Sequence, residues 1–427
     1  MHPKLTDVFG IRTTVSDYSY IDRGGLDEEI SKVANRNMHI ALRGESKSGK
    51  SWLRQKIFDD ANVISCRLGF TTNEIYRQVL ANLDISLVVE KATAGGATLS
   101  FKGSSEVGWK WLAKAKGEVN VVGEVEHEVV KKTVGHDEFD FDFLSEVIKA
   151  SGKRVIIEDF HYLGSDVQRD LAHELKTFWD YGVYFVVVGV WHRKNYITYL
   201  NSDVAGRVYE VSVYWTDEEL EASINKGVKA LNMEIAPDIK KRLARDSYNN
   251  VGILQSLIYS YCELVGIHEK QEVIKDFSIA EKVDDAGMAY ADQIEAVYQL
   301  FAENVSEGIK KRKDSTQIYA YAMQIIVEAK DSELIDGFSI DTIFERAHAK
   351  QPRIQKGNLR TVLRKFREIQ IDDRGKGLVL TFDDPTDSII VVDRGLLFYR
   401  KYMTAKWPFE RLIEEAQEAG TGLNPED

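Results

Sequence analysis

The residues with the clearest chemical potential lie in one short segment, Gly44 to Ser51. It reads GESKSGKS and matches the pattern G-x-x-x-x-G-K-[ST], whose glycines let backbone N–H groups curl around a phosphate. In such a loop the Lys50 amine reaches the outer phosphates of a nucleotide and the Ser51 hydroxyl ligates Mg²⁺. An apolar run, Met38–Leu42, precedes the segment and a predicted helix starts at Lys50. This order of strand, loop and helix predicts a site for ATP and Mg²⁺. The residues assigned to it are Gly44, Glu45, Ser46, Lys47, Ser48, Gly49, Lys50, Ser51 and Trp52.

A pair of adjacent carboxylates, Glu158 and Asp159, ends a second apolar run that begins at Arg154. Besides Ser51, the magnesium of a phosphate-loop site needs an acid at the end of a neighbouring strand, and a second acid can activate water. We therefore assign Glu158 to the metal shell and Asp159 to the general base. Because Asp-Glu or Asp-Asp is the commoner order, an exchange of the two roles stays open. The alternative without function is that the pair ends a strand in solvent.

The spacing of the apolar runs predicts the fold class. Further strands are expected at Asn62–Cys66, Arg154–Ile157 and Tyr184–Val190, each about one helix from its neighbours. Parallel strands require such crossovers, so we expect a doubly wound α/β core of the P-loop NTPase type. Proline is scarce, with 6 residues in 427, which favours long helices.

Composition and the residues that interrupt helices and strands divide the chain into four parts. Residues 1–213 are predicted as the NTPase core, with a glycine-rich β-hairpin or flexible insertion at about 92–136. Residues 214–283 read as a helical lid, with one helix through Leu231 and a second from Pro237 to about Val265. Residues 284–412 read as a linker helix and a C-terminal module, and 413–427 as an acidic, frayed tail.

The C-terminal module has the element order of a winged helix. Helices are expected at Ile318–Ala329, Ser339–His348 and Gln355–Ile369, followed by strands at Gly377–Phe382 and Ser388–Val392. One face of the third helix is apolar, and its basic residues gather on the opposite side.

Positive charge is concentrated around that third helix. Between residues 346 and 367 there are eight Lys or Arg residues and no Asp or Glu. Uncompensated charge on a recognition helix is typical of contact with duplex DNA, with Asn358 and Arg360 as candidate base readers. The alternative is that these basic residues form a solvent-exposed surface without a ligand. The predicted DNA contacts are Arg353, Lys356, Asn358, Arg360, Arg364 and Arg367.

Composition excludes several classes of protein. The net charge of −12 argues against general affinity for nucleic acid, so DNA binding rests on the local basic segment. Cys66 and Cys262 lie in apolar surroundings and are expected to be reduced core residues. No apolar stretch is long enough to span a bilayer, and the first residues lack a signal-peptide core, so we expect a cytoplasmic protein without membrane contact.

The segment Tyr20–Ile30, which reads YIDRGGLDEEI, resembles the entry segment of AAA+ ATPases of the origin-recognition type and of the signalling NTPases called STAND. The resemblance implies that Tyr20, Ile21 and Arg23 lie near the adenine and ribose. An ordinary helix packed on the sheet is the alternative. The C-terminal module similarly resembles the winged-helix domains that follow the ATPase of origin-recognition proteins.

The same resemblance suggests two further site residues and one departure. His192 follows the strand that corresponds to the sensor 1 strand, and Arg207 precedes the lid where such ATPases carry an arginine finger acting on a neighbouring subunit. A surface histidine and a surface ion pair are the respective alternatives. The segment Asn249–Gln255 has no sensor 2 arginine, and its pattern looks closer to STAND and bacterial transposon-type ATPases.

These features favour an ATP-hydrolysing AAA+/STAND-like switch that forms homo-oligomers and binds duplex DNA. The contexts considered are replication, transposition, mobile elements and antiviral (phage) defence. The alternative is a signalling or scaffold ATPase whose winged helix docks a separate effector protein. A remodelling chaperone is less favoured because no pore-loop motif is evident.

Overall fold

The computed structural model describes residues 2–93, 96–103, 110, 129–134, 141–308, 316–370, 378–384 and 386–421. The chain forms two compact units. Residues 22–44 and 49–213 form one, which we call the sheet unit. Residues 1–21, 45–48 and 214–427 form the other, which we call the helical unit.

A five-stranded parallel sheet forms the core of the sheet unit. In spatial order its strands are Asn62–Ser65, Val155–Glu158, Phe185–Gly189, His39–Arg43 and Val208–Ser212. Successive residues alternate between two apolar clusters: Ala41 faces one, and Ile40 and Leu42 face the other. Parallel strands buried on both faces are what the continuous apolar runs predicted, and the α/β core is confirmed.

Helices cover this sheet and connect its strands. They are Leu26–Ala34, Lys50–Ile57, Thr72–Ala81, Phe141–Ser151, Ser165–Asp180 and Tyr196–Leu200, with 3₁₀ turns at Phe160–Tyr162 and Ser202–Val204. The helix Thr72–Ala81 starts with a capping box, in which Thr71 and Glu74 satisfy each other's backbone N–H groups.

A separate antiparallel sheet occupies part of the predicted insertion. Its strands, Ile85–Thr93, Gly96–Gly103 and Val129–Val134, pair in that order. The first begins before residue 92, the predicted start of the insertion. Residues 94–95, 104–109, 111–128 and 135–136 of the predicted insertion lie outside the described residues.

The helical unit is built around one large apolar cluster. Its helices are Leu5–Val8, Asp217–Ala230, Pro237–Asp246, Val251–Leu264, Lys282–Glu307, Ile318–Val327, Asp331–Asp336, Ile340–Lys350, Lys356–Gln370, Gly395–Tyr402 and Pro408–Thr421. Its short strands are Met233–Glu234 paired with Lys275–Asp276, and Phe338–Ser339, Ser388–Val391 and Leu380–Asp383 in one antiparallel sheet. The three predicted helices and two predicted strands of the C-terminal module are present, but a further helix, Asp331–Asp336, and a short strand, Phe338–Ser339, lie between the first two of those helices. The identification of the module as a winged helix stays a prediction.

The single lid helix predicted from Pro237 to about Val265 is wrong. Two helices are present, because Tyr248 and Asn249 adopt left-handed φ angles of 54° and 57°, which a right-handed helix cannot contain. Asn250 then caps the second helix by accepting hydrogen bonds from the N–H groups of Gly252 and Ile253.

Both ends of the chain also differ from expectation. The first residues, predicted within the NTPase core, pack in the helical unit, where the Phe9 ring lies so close to Gly227 that a Cβ there would be 2.2 Å from it. Residues 413–421, predicted as a frayed tail, belong to the helix Pro408–Thr421, because Phe409 and Ile413 are buried one turn apart. Within the described residues, no helix is long and apolar enough to cross a membrane.

Candidate functional site

The phosphate loop connects the strand His39–Arg43 to the helix Lys50–Ile57. Gly49, at the helix start, has a φ of 85°, a conformation that favours glycine. The Lys50 side chain is buried, and its Nζ donates a hydrogen bond to the Gly44 carbonyl at 3.1 Å. Lys50 is therefore held at the carboxyl edge of the parallel sheet, while Ser51 is exposed.

The middle of the loop, residues 45–48, belongs to the helical unit, which holds every one of its four residues. The contacts are Arg394 NH2 to Glu45 Oε1 at 2.5 Å, Asn250 Nδ2 to Ser46 O at 2.7 Å, Gly252 N to Lys47 O at 3.1 Å and Trp215 Nε1 to Ser48 O at 2.8 Å. Three consecutive carbonyl groups thus accept hydrogen bonds from lid residues.

The two predicted acids have different surroundings. Glu158 Oε1 accepts hydrogen bonds from Arg54 Nε at 3.1 Å and Arg54 NH2 at 3.0 Å, and both side chains are almost buried. Asp159 has a left-handed φ of 58°. Burial and the Glu158 charge raise the pKa of Asp159, while the Lys50 ammonium opposes this rise. The Asp159 carboxylate is thus partly buried with a raised pKa, and Glu158 is held by Arg54.

Arg54 was not among the residues selected from the sequence. A signal for it was present, because Arg54 follows Lys50 by four positions and therefore lies on the same side of their helix. A cation there is suited to a carboxylate at the neighbouring strand end. The two acids could be predicted from one motif. Only the position of Arg54 on the helix Lys50–Ile57 shows that Glu158 is the one held in an ion pair.

The oxygen donors near this edge fit magnesium. They are the Ser51 hydroxyl and the carboxylates of Glu158 and Asp159. In the part of the chain that the structure describes, no group of three or more His, Cys, Asp or Glu side chains could hold a metal. Mg²⁺ commonly takes one or two carboxylates and completes its shell with water and substrate phosphates, so this small donor set suits a metal that arrives with a nucleotide.

A buried ion pair joins the strand before the loop, His39–Arg43, to the neighbouring strand Val208–Ser212. Arg43 Nε lies 2.9 Å from Glu210 Oε1, and Arg43 NH1 donates to the His192 carbonyl at 3.1 Å. Glu210 also accepts from the N–H groups of Asn195 and Tyr196, which open a short helix. The His192 side chain is exposed, so its backbone makes this contact, and its role as a nucleotide sensor stays a prediction.

The entry-segment residues fall in both units. The Tyr20 carbonyl accepts a hydrogen bond from Lys226, and Ile21 packs against the apolar cluster of the helical unit. Arg23 is buried in the sheet unit, just before the helix Leu26–Ala34. Trp52 is half-buried on the helix after the loop. Their proximity to a nucleotide stays a prediction.

Arg207 lies at the opposite edge of the sheet from Lys50. It directly precedes the strand Val208–Ser212, which runs parallel to the strand before the loop, with His39 opposite Val208. Its guanidinium stacks on Trp179 at 4.6 Å from the ring centre and donates to the Asp203 carbonyl. Arg207 therefore lies away from the phosphate-loop end of its own sheet, and its role as an arginine finger stays a prediction.

The basic segment is not uncompensated, and that expectation is wrong. Arg360 NH2 lies 2.6 Å from Asp387 Oδ2, and Arg364 Nε lies 2.6 Å from Asp384 Oδ1. Three further ion pairs join Lys356 to Asp341, Arg346 to Glu333 and Lys350 to Glu328. The acids come from other helices and from the turn between the last two strands, so a count over residues 346–367 did not include them.

The other predicted DNA contacts lie in the same segment. Arg353 and Asn358 are exposed, and Arg367 is half-buried. The apolar face of the helix, formed by Leu359, Leu363 and Phe366, is buried as its spacing predicted. The segment therefore presents a surface of mixed charge.

No family model and no curated protein matches the chain. Among solved structures, it is similar to a Walker-type ATPase of Pyrococcus abyssi, with 11% identity, a TM-score of 0.51 and coverage of 92% of this chain and 99% of that one.

Two other solved structures are more distant. Cdc6p of Pyrobaculum aerophilum is 10% identical over 96% of this chain and 98% of that one, with a TM-score of 0.37. A STAND protein with a tetratricopeptide repeat sensor from Pyrococcus horikoshii is 12% identical over 95% of this chain and 46% of that one, with a TM-score of 0.39. Scores below 0.5 do not establish a common fold, whereas the Pyrococcus abyssi ATPase scores above that value. The chain therefore has the fold of a Walker-type P-loop ATPase.

Proposed function

We propose that the protein binds ATP together with Mg²⁺ and hydrolyses it to ADP and phosphate. The observation that supports this most directly is the geometry of Lys50, whose buried Nζ donates to the Gly44 carbonyl at 3.1 Å where the phosphate loop begins. A cation held at the end of this strand, together with the Asp159 carboxylate whose pKa burial and the Glu158 charge raise, suits hydrolysis of a phosphoanhydride.

Each charged group has a separate part in the proposed reaction. The Lys50 ammonium stabilises negative charge on the outer phosphates. Asp159 accepts a proton from the attacking water while the water oxygen bonds to the γ-phosphorus. The bond between the γ-phosphorus and the β–γ bridging oxygen breaks. The Ser51 hydroxyl and the Glu158 carboxylate, oriented by Arg54, would hold the magnesium shell, whose chemistry is to neutralise phosphate charge.

We further propose that the protein is an AAA+/STAND-like switch that assembles into homo-oligomers and binds duplex DNA through the helix Lys356–Gln370. The side chains of Arg360 and Arg364 are 38% and 53% exposed despite their ion pairs, so a DNA phosphate could replace either carboxylate. Arg207, at the far edge of the sheet, would act on the nucleotide of a neighbouring subunit.

A second candidate function is supported by the same helix. The acidic turn contributes Asp384 and Asp387 beside the arginines, and a surface with both signs of charge suits a protein partner. For this second function, an effector protein, not DNA, binds to the helix Lys356–Gln370.

Steady-state ATP turnover by the purified protein, measured across a titration of duplex DNA at two salt concentrations, tests these proposals together. Lys50→Ala serves as the blank. Turnover that rises with DNA, and less at high salt, supports the DNA-bound switch. Turnover that ignores DNA favours a protein partner, and wild-type turnover no greater than the blank contradicts the ATPase itself.

A further inference from the structure

Arg394 brings the C-terminal region into direct contact with the phosphate loop. It lies between the strand Ser388–Val391 and the helix Gly395–Tyr402, and its NH2 group is 2.5 Å from Glu45 Oε1. Only 11% of the Arg394 side chain and 7% of the Glu45 side chain are exposed. The ion pair is therefore almost fully removed from water.

The rest of the Arg394 guanidinium contacts the break between two lid helices. NH1 donates to the Tyr248 carbonyl at 2.7 Å and lies 3.4 Å from Asn249 Oδ1. Tyr248 and Asn249 are the two residues in left-handed conformation that separate those helices. One side chain thus contacts the loop, the lid and the C-terminal region, all within the helical unit.

The backbone around Arg394 is firmly held. Asp393 accepts hydrogen bonds from the Tyr298 hydroxyl and the Gly395 N–H, both at 2.9 Å. A Cβ on Gly395 would lie 1.9 Å from the Tyr298 oxygen, so the tyrosine approaches the backbone as closely as a glycine allows. The long helix Lys282–Glu307, which carries Tyr298, fixes the position from which Arg394 reaches Glu45.

The charge of Glu45 is unfavourable for the proposed ligand. Glu45 is the second residue of a loop that is to bind a polyphosphate, and a buried carboxylate there repels the nucleotide unless it is neutralised. Removing one partner of a buried ion pair also leaves the other as an uncompensated charge. The guanidinium of Arg394 provides this neutralisation and orients the carboxylate.

We propose that Arg394 is a positioning residue of the nucleotide site, which acts through Glu45 and makes nucleotide affinity depend on the C-terminal region. This inference rests on the proposed ATP binding. Movement of the helix Gly395–Tyr402 that withdraws Arg394 would expose the loop to the Glu45 charge and weaken nucleotide binding. By linkage, a bound nucleotide would resist that movement.

The test is a double-mutant cycle on the full chain, with ATP and ADP binding measured by titration calorimetry. Arg394→Ala should raise the Kd for ATP about tenfold or more, because it removes the guanidinium that lies 2.5 Å from the Glu45 carboxylate. The increase should be smaller for ADP, which carries less negative charge. Glu45→Gln alone provides the fourth corner of the cycle, and adding Glu45→Gln to Arg394→Ala should restore most of the affinity that Arg394→Ala loses.

Rescue by Glu45→Gln separates this role from a merely structural one. If Arg394 mattered only through its bonds to Tyr248 and Asn249, neutralising Glu45 would restore nothing, and the proposal would be overturned. Wild-type affinity in Arg394→Ala would overturn it equally.

Arg400→Ala is the matched control. Arg400 is 13% exposed in its side chain, donates to the Val327 carbonyl and pairs with Asp331, without contact to the loop. We expect lower thermal stability and unchanged ATP affinity in this variant, and a tenfold loss of affinity there would contradict the specific role of Arg394.

If Arg394→Ala does not fold, Arg394→Lys provides the second variant, because it keeps the charge and loses the forked geometry. Its Kd for ATP should stay within about threefold of the wild type, and a larger increase would overturn neutralisation as the mechanism. Wild-type protein that binds no ATP would overturn the proposed function, and this inference with it.

Discussion

The charged residues at the phosphate-loop end of the sheet and those on the helix Lys356–Gln370 are both ion-paired, but the two regions differ in their exposure to water. The Glu158 and Arg54 side chains are 14% and 12% exposed. The Asp384 and Arg364 side chains are 59% and 53% exposed. The first region holds its charges in a low dielectric, where their geometry is fixed. The second keeps them in water.

This difference separates two kinds of chemistry. An exposed ion pair contributes about 0–1 kcal/mol and is screened by salt, so its partners can be exchanged for a ligand at small cost. A buried pair costs several kcal/mol when one partner is removed, so its groups stay in place while chemistry occurs. We therefore expect large effects of substitutions near the loop and small, salt-dependent effects on the basic helix.

Lys50→Ala should have the largest effect. Without the buried ammonium, the outer phosphates lose their fixed cation, and ATP turnover should fall by about a hundredfold or more. A phosphate-release assay under saturating ATP measures it. Lys56→Ala, an exposed lysine on the same helix, is the control and should keep wild-type turnover.

Asp159→Asn should reduce turnover about a hundredfold while ATP still binds, because the amide cannot accept a proton from water. Asparagine tolerates the left-handed backbone at this position, so the fold should be kept. Single-turnover rates and ATP affinity are measured side by side. Glu158→Gln should instead raise the Mg²⁺ concentration needed for turnover. If Glu158→Gln abolishes turnover and Asp159→Asn does not, the two roles are exchanged.

Acid should destabilise the sheet unit through His39. Its Nε2 lies 2.9 Å from the Leu175 carbonyl, its Nδ1 accepts from the Phe185 N–H, and burial lowers its pKa to about 3. Because the unfolded chain binds a proton below about pH 6.5 and the folded chain does not, this group should reduce the free energy of unfolding by about 1.4 kcal/mol per pH unit below that value.

Urea unfolding at several pH values between 7 and 5.5 measures this slope. His39→Gln should be less stable at pH 7 but should lose the histidine contribution to the slope. His173→Gln, at an exposed position on the helix Ser165–Asp180, should keep the wild-type slope. An unchanged slope in His39→Gln would contradict the assignment to His39.

Charge reversal on the basic helix should have a moderate effect. Arg360→Glu with Arg364→Glu should weaken duplex DNA binding about tenfold near physiological salt and flatten the plot of log affinity against log salt by up to about 2. ATP binding should be retained. Lys229→Glu with Lys241→Glu, two exposed lid lysines, is the charge-matched control. Equal affinity and slope in both double variants would favour a protein partner for the basic helix.

The smallest effect should come from the acidic turn. Asp384→Asn with Asp387→Asn removes the carboxylates that compete with DNA for Arg364 and Arg360, and DNA affinity should rise by about threefold. Fluorescence anisotropy at low salt is sensitive enough to detect this. Asp166→Asn with Asp180→Asn, at two exposed positions of the helix Ser165–Asp180, changes net charge equally and should leave affinity almost unchanged. A gain of the same size in the control would show that net charge, not the turn, is responsible.

Much of the fold was predictable from local sequence. The strands of the parallel sheet are continuous apolar runs, and the phosphate loop has a specific motif. A short stretch of sequence is therefore enough to identify each of them. The lid was predicted less well, because no residue type marks the left-handed turn at Tyr248–Asn249 unambiguously. The predicted tail failed because its few apolar residues were outweighed by the charged residues around them.

The sequence predicted which residues belong to the candidate site better than it predicted which of them contact each other. Lys50, Glu158 and Asp159 follow from motifs, and Arg54 could have been found from its helical spacing. Arg394 carries no such signal, since its contact with Glu45 joins residues more than three hundred positions apart. The same holds for the acids that neutralise the basic helix.

By itself, then, the sequence determined the parallel sheet, the phosphate loop and the helix with one apolar and one basic face. Those features depend on periodicity and short spacing, which act along a few turns or strands of the chain. Tertiary structure alone decided which charges meet. Arg54 holds Glu158, Arg394 holds Glu45 and Asp384 holds Arg364, because an ion pair depends on distance in space and burial, and neither quantity is written in sequence separation.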